Sequence, residues 1–318
     1  VARIAITGGS GFIGKHLIPQ LLSEKHDIRL ATRTERLATN EEADYFHIDL
    51  LTASDTELES FLYGCEVLIH LAGETSDQSC MRSLHVDATL RLARAAATKN
   101  IAHWIQMSSC GVYGPVRSGV VVESTSKAPV GEYEVTKWEA EQIVYGWATS
   151  NDRKVTIFRP SIIWSSTMPN NSLRALISVV RRRLFFFVGK PGSIYPCVHI
   201  DDVVRAVSMA IKCQSSNIAI LNLSENILME DLIGTIASVT DSPMPTARIP
   251  ESFAMMIATL TKALPFLPLT RGRVNALSCR AEYCSAEAHN VLGWQPKKLL
   301  RDGLAEFEIA LVPGNVKP

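Results

Sequence analysis

Tyr133 and Lys137 stand four residues apart in Tyr133-Glu134-Val135-Thr136-Lys137, a spacing that sets both side chains on one face of a helix. A free phenol ionises near pH ~10, too high for a base at neutrality, and a neighbouring ammonium favours the phenolate. The pair is a workable proton donor and acceptor for carbonyl and alcohol chemistry. Upstream, Ser108-Ser109-Cys110-Gly111-Val112-Tyr113-Gly114 follows directly on an apolar run. The Ser109 hydroxyl therefore falls at the carboxyl end of an expected strand, where parallel sheets line their ligand crevice. Cys110 beside it reads as a small packed side chain. Near the start, Thr7-Gly8-Gly9-Ser10-Gly11-Phe12-Ile13-Gly14 spaces glycines at 8, 11 and 14 between a β-branched run and a helical pattern. Gly8 permits a tight turn, Gly11 lets a diphosphate approach the backbone, Gly14 allows close helix–strand packing, and the helix N-terminus faces the anion.

These groups must be held by regular elements, and the sequence supplies them in alternation. Arg3–Thr7, Ile28–Thr32, Tyr45–Ile48, Val67–Leu71, Trp104–Ser108 and Val155–Phe158 read as strands. Phe12–Ser23, Met81–Lys99 and Tyr133–Trp147 read as helices. That cadence predicts an α/β fold, a doubly wound parallel sheet with helices on both faces. After Arg159-Pro160 the alternation fades, and segments 161–195 and 241–318 carry most of the prolines. Between them Asp201–Lys212 reads as a helix and Ile218–Leu223 as a strand that returns to the first sheet. The expected organisation is a dinucleotide-binding domain over 1–160, rejoined at 196–240, with a smaller discontinuous lobe from 161–195 and 241–318.

The chain has 318 residues, 32 Lys and Arg, 32 Asp and Glu, and zero net charge. Nothing in that balance calls for nucleic acid or an anionic membrane as a partner. At 47% hydrophobic and 20% charged it reads as an ordinary globular protein. Seven cysteines without CxxC spacing argue against a disulfide framework or a zinc site, and for a reducing compartment. The first residues run straight into a strand, which predicts no signal peptide. The apolar stretch Leu184–Gly189 is too short to span a bilayer, and Phe253–Leu269 is broken by Lys262, Pro265 and Pro268. Both are expected in or beside a core or pocket. The expectation is a cytoplasmic protein with no metal and no nucleic-acid or membrane partner.

Together the three motifs resemble the extended short-chain dehydrogenase/reductase superfamily, which includes the NAD-dependent epimerases, dehydratases and reductases of sugar nucleotides. Leu71-Ala72-Gly73 is similar to its loop after strand four, and His47-Ile48-Asp49-Leu50 to its adenine-contacting segment. Arg159-Pro160, Val198-His199-Ile200-Asp201-Asp202-Val203 and Leu292-Gly293-Trp294-Gln295-Pro296 resemble later landmarks, so the likeness covers nearly the whole chain. It implies a Rossmann-type sheet and a catalytic triad of Ser109, Tyr133 and Lys137. Tyr133 would exchange the hydroxyl proton, Ser109 polarise the carbonyl, and Lys137 hold the nicotinamide ribose while lowering the phenol pKa. It implies NAD(P) bound at Gly8, Gly11, Phe12, Ile13, Gly14, Asp49, Leu50, Leu71, Ala72, Gly73, Tyr133, Lys137 and Pro160. At the tip of strand two, Leu30-Ala31-Thr32-Arg33-Thr34-Glu35-Arg36 lacks the carboxylate that bonds an NAD ribose. Arg33 and Arg36 suit a 2′-phosphate, which favours NADP(H) over NAD(H).

The substrate side is less regular. Dehydratases of the superfamily carry Asp-Glu where this chain has Cys110-Gly111, which argues against a 4,6-dehydratase. Pro169-Asn170-Asn171-Ser172-Leu173 resembles the nucleotide-contacting segment of the epimerases, and Leu184–Gly189 a strand bordering their base pocket. That likeness implies substrate contacts at Thr75, Ser109, Cys110, Asn171 and Phe187. Basic residues that clamp a diphosphate in the family are replaced, with Tyr195 or Pro196, Asn290 and Thr75 in their places. Arg174, Arg271, Arg273 and Arg280 are the remaining candidates. His85, in His85-Val86-Asp87-Ala88-Thr89, stands where the family has Asn and reads as a structural replacement. The leading expectation is an NAD(P)-dependent 4-keto reductase or epimerase of a nucleotide sugar. The thin clamp keeps open an NADPH-dependent reductase of an apolar ketone, of dihydroflavonol or 3β-hydroxysteroid type. A non-catalytic NAD(P)-binding protein is a further alternative. The resemblance also implies a homodimer through a four-helix bundle of Met81–Lys99 and Tyr133–Trp147.

Overall fold

Strands buried on both faces must be apolar nearly throughout, and the N-terminal runs of Ile, Leu, Val and Ala meet that requirement. The computed structural model describes residues 1–33, 43–214, 217–260, 269–300, 302–304 and 307. It contains strands β1 (Arg3–Thr7), β2 (Asp27–Thr32), β3 (Asp44–His47), β4 (Val67–His70), β5 (His103–Met107), β6 (Lys154–Pro160) and β7 (Ile218–Leu223). They form one sheet in the order β3-β2-β1-β4-β5-β6-β7, every neighbouring pair parallel. The direction of winding reverses between β1 and β4. In a doubly wound sheet the ligand crevice opens outside the strand ends at that reversal.

Side chains alternate across the sheet with a period of two. Ile4, Ile6, Val67 and Ile69 pack on one face with Leu17 and Leu21 of helix Phe12–Ser23 and with Val203 and Val207. Ala5, Leu68 and Trp104 pack on the other with Phe61, Leu92, Val144 and Trp147. Helix Phe12–Ser23 and strand Ile218–Leu223 have the bounds read from the sequence. Strand β6 runs past Phe158 because Arg159 and Pro160 continue its register against Asn222 and Leu223. The expected single helix Met81–Lys99 is instead a composite. Helix Gln78–Arg82 passes through a π-helical turn, Ser83–Asp87, into helix Ala88–Thr98. Such turns collect at functional sites, and this one carries His85.

The second lobe has its own core around Trp164, Leu173, Phe187, Cys197, Leu232 and Ile236. A three-stranded sheet of Glu225–Leu228, Ile194–His199 and Ile162–Trp164 lies against it. Of the apolar run 184–189, Phe185, Phe187 and Val188 are buried as expected, whereas Leu184 is 65% exposed. Residues 261–268 of the second apolar run lie outside the described residues. Among the described residues no helix is long and apolar enough to cross a membrane.

Candidate active site

The glycine turn closes on itself through backbone. Gly8 sits at φ 73°, and a Cβ there would fall 2.5 Å from the amide nitrogen of Ala72, so the turn packs directly on the loop after β4. A Cβ on Gly14 would meet the Gly9 carbonyl oxygen at 2.4 Å. The close contact of Gly14 is thus with the turn rather than with a strand, as the sequence reading had it. Gly11 caps helix Phe12–Ser23 without a side-chain bond, and the first helical turn holds no acidic residue. The N-terminal amides and the positive end of the helix dipole are left to an anion.

Lys137 and Tyr133 lie on helix Glu132–Asn151, which begins one residue before Tyr133 and ends at Asp152 in the left-handed conformation. The helix is pinned to the sheet by a fully buried ion pair. Arg159 of β6 donates Nε to Glu141 Oε1 at 3.0 Å and Nη2 to Oε2 at 2.6 Å. Its Nη1 reaches the Tyr113 hydroxyl at 2.9 Å, and Tyr113 donates to Asn222 Oδ1 at 2.7 Å. Glu141 is one helical turn beyond Lys137, so the pair fixes the height of the helix over the strand ends.

Lys137 is buried, and its Nζ donates to the Met107 carbonyl at 3.1 Å. Burial pushes its pKa down to about 8, opposed by the Glu141 carboxylate. A Cβ on Gly73 would come within 3.0 Å of that Nζ, so glycine keeps the face of the ammonium open. Burial pushes the Tyr133 phenol above its ordinary value, partly offset by a hydrogen bond with Ser109, while the Glu134 charge adds to the rise. The expected lowering by Lys137 is not what the geometry produces. The ammonium lies 6.0 Å from the ring centre, and desolvation of the phenolate outweighs it. Ser109 Oγ accepts the Gly111 amide at 3.1 Å and caps the short helix Cys110–Tyr113. The Cys110 thiol donates to the Arg159 carbonyl at 3.1 Å, and burial raises its pKa. It is a protonated wall residue at neutral pH.

Behind these groups lies a chain of neutral imidazoles and hydroxyls. His85 Nε2 accepts the Glu74 amide at 2.8 Å, which leaves its Nδ1–H to donate to Thr136 Oγ1 at 2.8 Å. Thr136 passes its own proton to the carbonyls of Glu132 and Tyr133. The His85 ring meets the Tyr133 ring edge-on at 5.7 Å, and burial holds its pKa down to about 3. Thr89 donates to the His85 carbonyl at 2.6 Å and takes a proton from His70 Nε2 at 3.1 Å, so His70 Nδ1 accepts from Thr7 at 2.5 Å. Both ring nitrogens of His85 are committed to partners, and the part of His70 in the chain carried no signal in the sequence.

A cleft of about 620 Å³ opens over the strand ends. Of the residues expected from the sequence, Gly8, Gly11, Phe12, Ile13, Leu71, Gly73, Thr75, Ser109, Cys110, Tyr133, Lys137 and Pro160 all line it. Gly14 and Ala72 lie behind the glycine turn. Arg33 is exposed at the end of β2, and Arg36 lies outside the described residues. Asp49 accepts the Leu51 amide at 3.0 Å, and Leu50 is buried; neither lines the cleft. Asn171 precedes helix Ser172–Arg181 while its neighbour Asn170 takes the lining position. Phe187 is in the core of the second lobe, edge-on to Phe185 at 5.1 Å and under the Arg248 guanidinium at 4.6 Å. Lining residues that the sequence reading did not name as contacts include Met107, Ser108, Gly111, Ile162, Ile163 and Tyr283, and Pro196, singled out there as a replaced clamp position, lines the cleft too. Ser108 and Gly111 flank the Ser109-Cys110 pair and could have been named with it. The Ser108 hydroxyl is buried without a partner among the described residues.

Comparison with known proteins agrees with this geometry. The model of the NAD dependent epimerase/dehydratase family matches residues 4–223. The UDP-glucose 4-epimerase of Mycolicibacterium smegmatis is 24% identical, over 96% of this chain and 96% of that protein. The N-acetyl-α-D-glucosaminyl-diphospho-ditrans,octacis-undecaprenol 4-epimerase of Escherichia coli O157:H7 is 22% identical, over 80% of this chain and 77% of its own. Among solved structures, the UDP-glucuronic acid 4-epimerase of Bacillus cereus in complex with NAD superposes with a TM-score of 0.75 at 19% identity, covering 97% of this chain and 99% of that one.

Proposed function

Because the chain belongs to the NAD dependent epimerase/dehydratase family, we propose that it is an NAD(P)-dependent oxidoreductase or epimerase working at one hydroxyl- or keto-bearing carbon of its substrate. The observation that carries the reading is the convergence of Ser109, Tyr133 and Lys137 on the cleft that the glycine turn borders. The residues present fit a dinucleotide. The cradle at Gly8 and Gly14 has no room for a Cβ, and the helix start beside it carries no acid. When bound, the nicotinamide supplies the donor or acceptor of hydride. Gly8, Gly11, Phe12 and Ile13 would hold the diphosphate, with Leu71, Gly73 and Lys137 toward the nicotinamide end. Arg33, exposed just after β2, supports NADP(H), since a guanidinium suits a 2′-phosphate.

The protein's own part is to hold and move one proton. Tyr133 gives it to, or takes it from, the substrate oxygen. Ser109, whose oxygen is already fixed by the Gly111 amide, donates to that oxygen and orients it. Lys137 spends one of its protons on the Met107 carbonyl and keeps two for ribose hydroxyls. A phenol held above its ordinary value rests protonated, which favours donation and so the reductive direction.

A nucleotide sugar is the leading substrate class, supported by what the relatives and the structural neighbour are named for. One observation favours a second reading. Among the described residues lining the cleft, Lys137 is the only charged one. Arg174 donates to the Met168 carbonyl at 3.0 Å, and Arg280 to the Lys190 carbonyl at 2.5 Å, so both are committed to backbone. A substrate of low charge, such as an apolar ketone, suits that wall better than a diphosphate does. Residues 1–160 with helix Ile200–Lys212 and strand Ile218–Leu223 would carry the dinucleotide; strands Ile194–His199 and Glu225–Leu228, with Leu232 and Ile236, pack instead in the second lobe, which would carry the substrate. Leu90 and Tyr145, 42% and 43% exposed on helices Ala88–Thr98 and Glu132–Asn151, support a homodimer through those helices.

Thermal unfolding with NAD, NADP, UDP-, dTDP- and GDP-sugars, and a set of apolar ketones tests the reading. A several-degree rise with one dinucleotide and a further rise with one nucleotide sugar is expected. A further rise with ketones alone selects the second reading, and no response to any dinucleotide contradicts both.

A further inference from the structure

Net charge zero conceals a strong segregation. Segment 172–190 contains five Lys and Arg, and segment 252–281 four, with no Asp or Glu in either. The described parts of the two segments meet in the second lobe. Strand Phe187–Val188 pairs with Arg248–Ile249, which leads into helix Glu251–Leu260. That helix buries Ala254 and Ala258 against Val188 and Val274, and Phe186 packs on the same cluster. Its opposite side is a stripe of large apolar side chains at i, i+3 and i+7. Phe253 is 48% exposed, Met256 49% and Leu260 75%. Leu184, two residues before Phe186 and so within ~7 Å of it along the chain, is exposed as well. Arg181, Arg182 and Arg183 immediately precede it and are exposed, as is Arg271 on the helix packed beside Glu251–Leu260.

We propose that this face docks on an anionic phospholipid surface, lying on the membrane without crossing it. An exposed apolar stripe flanked by arginines, with the Glu251 carboxylate at the start of its helix paired to Arg117, matches the interface of such a bilayer. Phe, Met and Leu enter the acyl boundary, while Arg side chains reach the phosphates. A second copy of the chain fits poorly, because a self-complementary contact would set these arginines against one another. Nucleic acid would leave the apolar stripe without a partner. The expectation of no membrane partner rested on net charge and on the absence of a span, and neither measures a one-sided patch.

Flotation of vesicles through a sucrose gradient tests the proposal on the full chain. The protein should partition onto phosphatidylcholine vesicles containing phosphatidylglycerol, only weakly onto phosphatidylcholine alone, and less as salt is raised. The triple variant Arg181→Gln/Arg182→Gln/Arg183→Gln should bind the anionic vesicles about a hundredfold more weakly. Phe253→Ser/Met256→Ser/Leu260→Ser should also lose binding, with an unchanged melting temperature showing that it folds. Failure of the unmodified protein to float with anionic vesicles overturns the proposal without any variant. So does an arginine variant that floats equally well. Self-association that disappears in the Phe253/Met256/Leu260 variant would assign the face to a second copy and overturn it too.

Discussion

The two walls of the cleft are built on opposite principles. The wall over the sheet is dense with polar and charged groups that are buried and individually tied: Lys137 to the Met107 carbonyl, His85 through both ring nitrogens, Arg159 to Glu141. The wall from the second lobe presents Ile162, Ile163, Pro169, Pro196 and Tyr283, with no charged side chain among the described residues. A proton must be held at a particular atom at a particular energy, so the first wall needs fixed partners and low dielectric. A substrate body can be recognised by shape and apolar contact, so the second wall needs only volume and surface. On the proposed reading, the first wall sets the reaction type and the second the substrate.

The largest expected effect comes from breaking the first wall at its anchor. Arg159→Leu leaves Glu141 buried and uncompensated, and should cost about 3–5 kcal/mol of stability. Denaturant titration would read it as a fall in midpoint. Next, Lys137 should set the alkaline limit. Its pKa of about 8 means that the ammonium is lost as pH rises through that value, where an ordinary lysine would stay charged to about 10.5. kcat/KM for the dinucleotide should fall roughly tenfold per pH unit above that point. Lys137→Arg should carry the limb out of range at whatever activity remains. Because the fold pays for a buried ammonium only below pH 8 or so, stability should rise between about 8 and 10.5. Arg33→Ser is expected to shift the NADPH/NADH preference by about fivefold, the scale of an exposed charge pair. Smallest is Pro196→Arg, which places a cation in the uncharged wall. It should lower KM by about threefold for a diphosphate-bearing substrate and raise it for an apolar ketone.

What the sequence made legible follows from what is local. The glycine turn, the Tyr–Lys spacing and the alternation of β1 to β7 are set by neighbours within one or two elements. They were readable to within a residue or two. The hydrogen-bond chain Thr7–His70–Thr89–His85–Thr136 joins five elements, and no spacing rule announces it. The same holds for Ile163 and Tyr283, which reach one cleft from distant parts of the chain. The π-helical turn at Ser83–Asp87 was hidden because its residues continue the helical pattern of their neighbours on both sides. The direction of the Tyr133 shift was missed for a different reason. Spacing shows that an ammonium is near, but not how deeply the phenol is buried.

Replacement of Tyr133 by Phe tests the central claim most directly, since it deletes the one oxygen assigned to proton transfer and preserves the ring beside His85. Dinucleotide affinity should be unchanged, while substrate-dependent turnover of the nicotinamide falls by about 10²–10⁴-fold. Turnover within a few-fold of the unmodified protein would contradict the assignment of Tyr133 as the group that moves the proton.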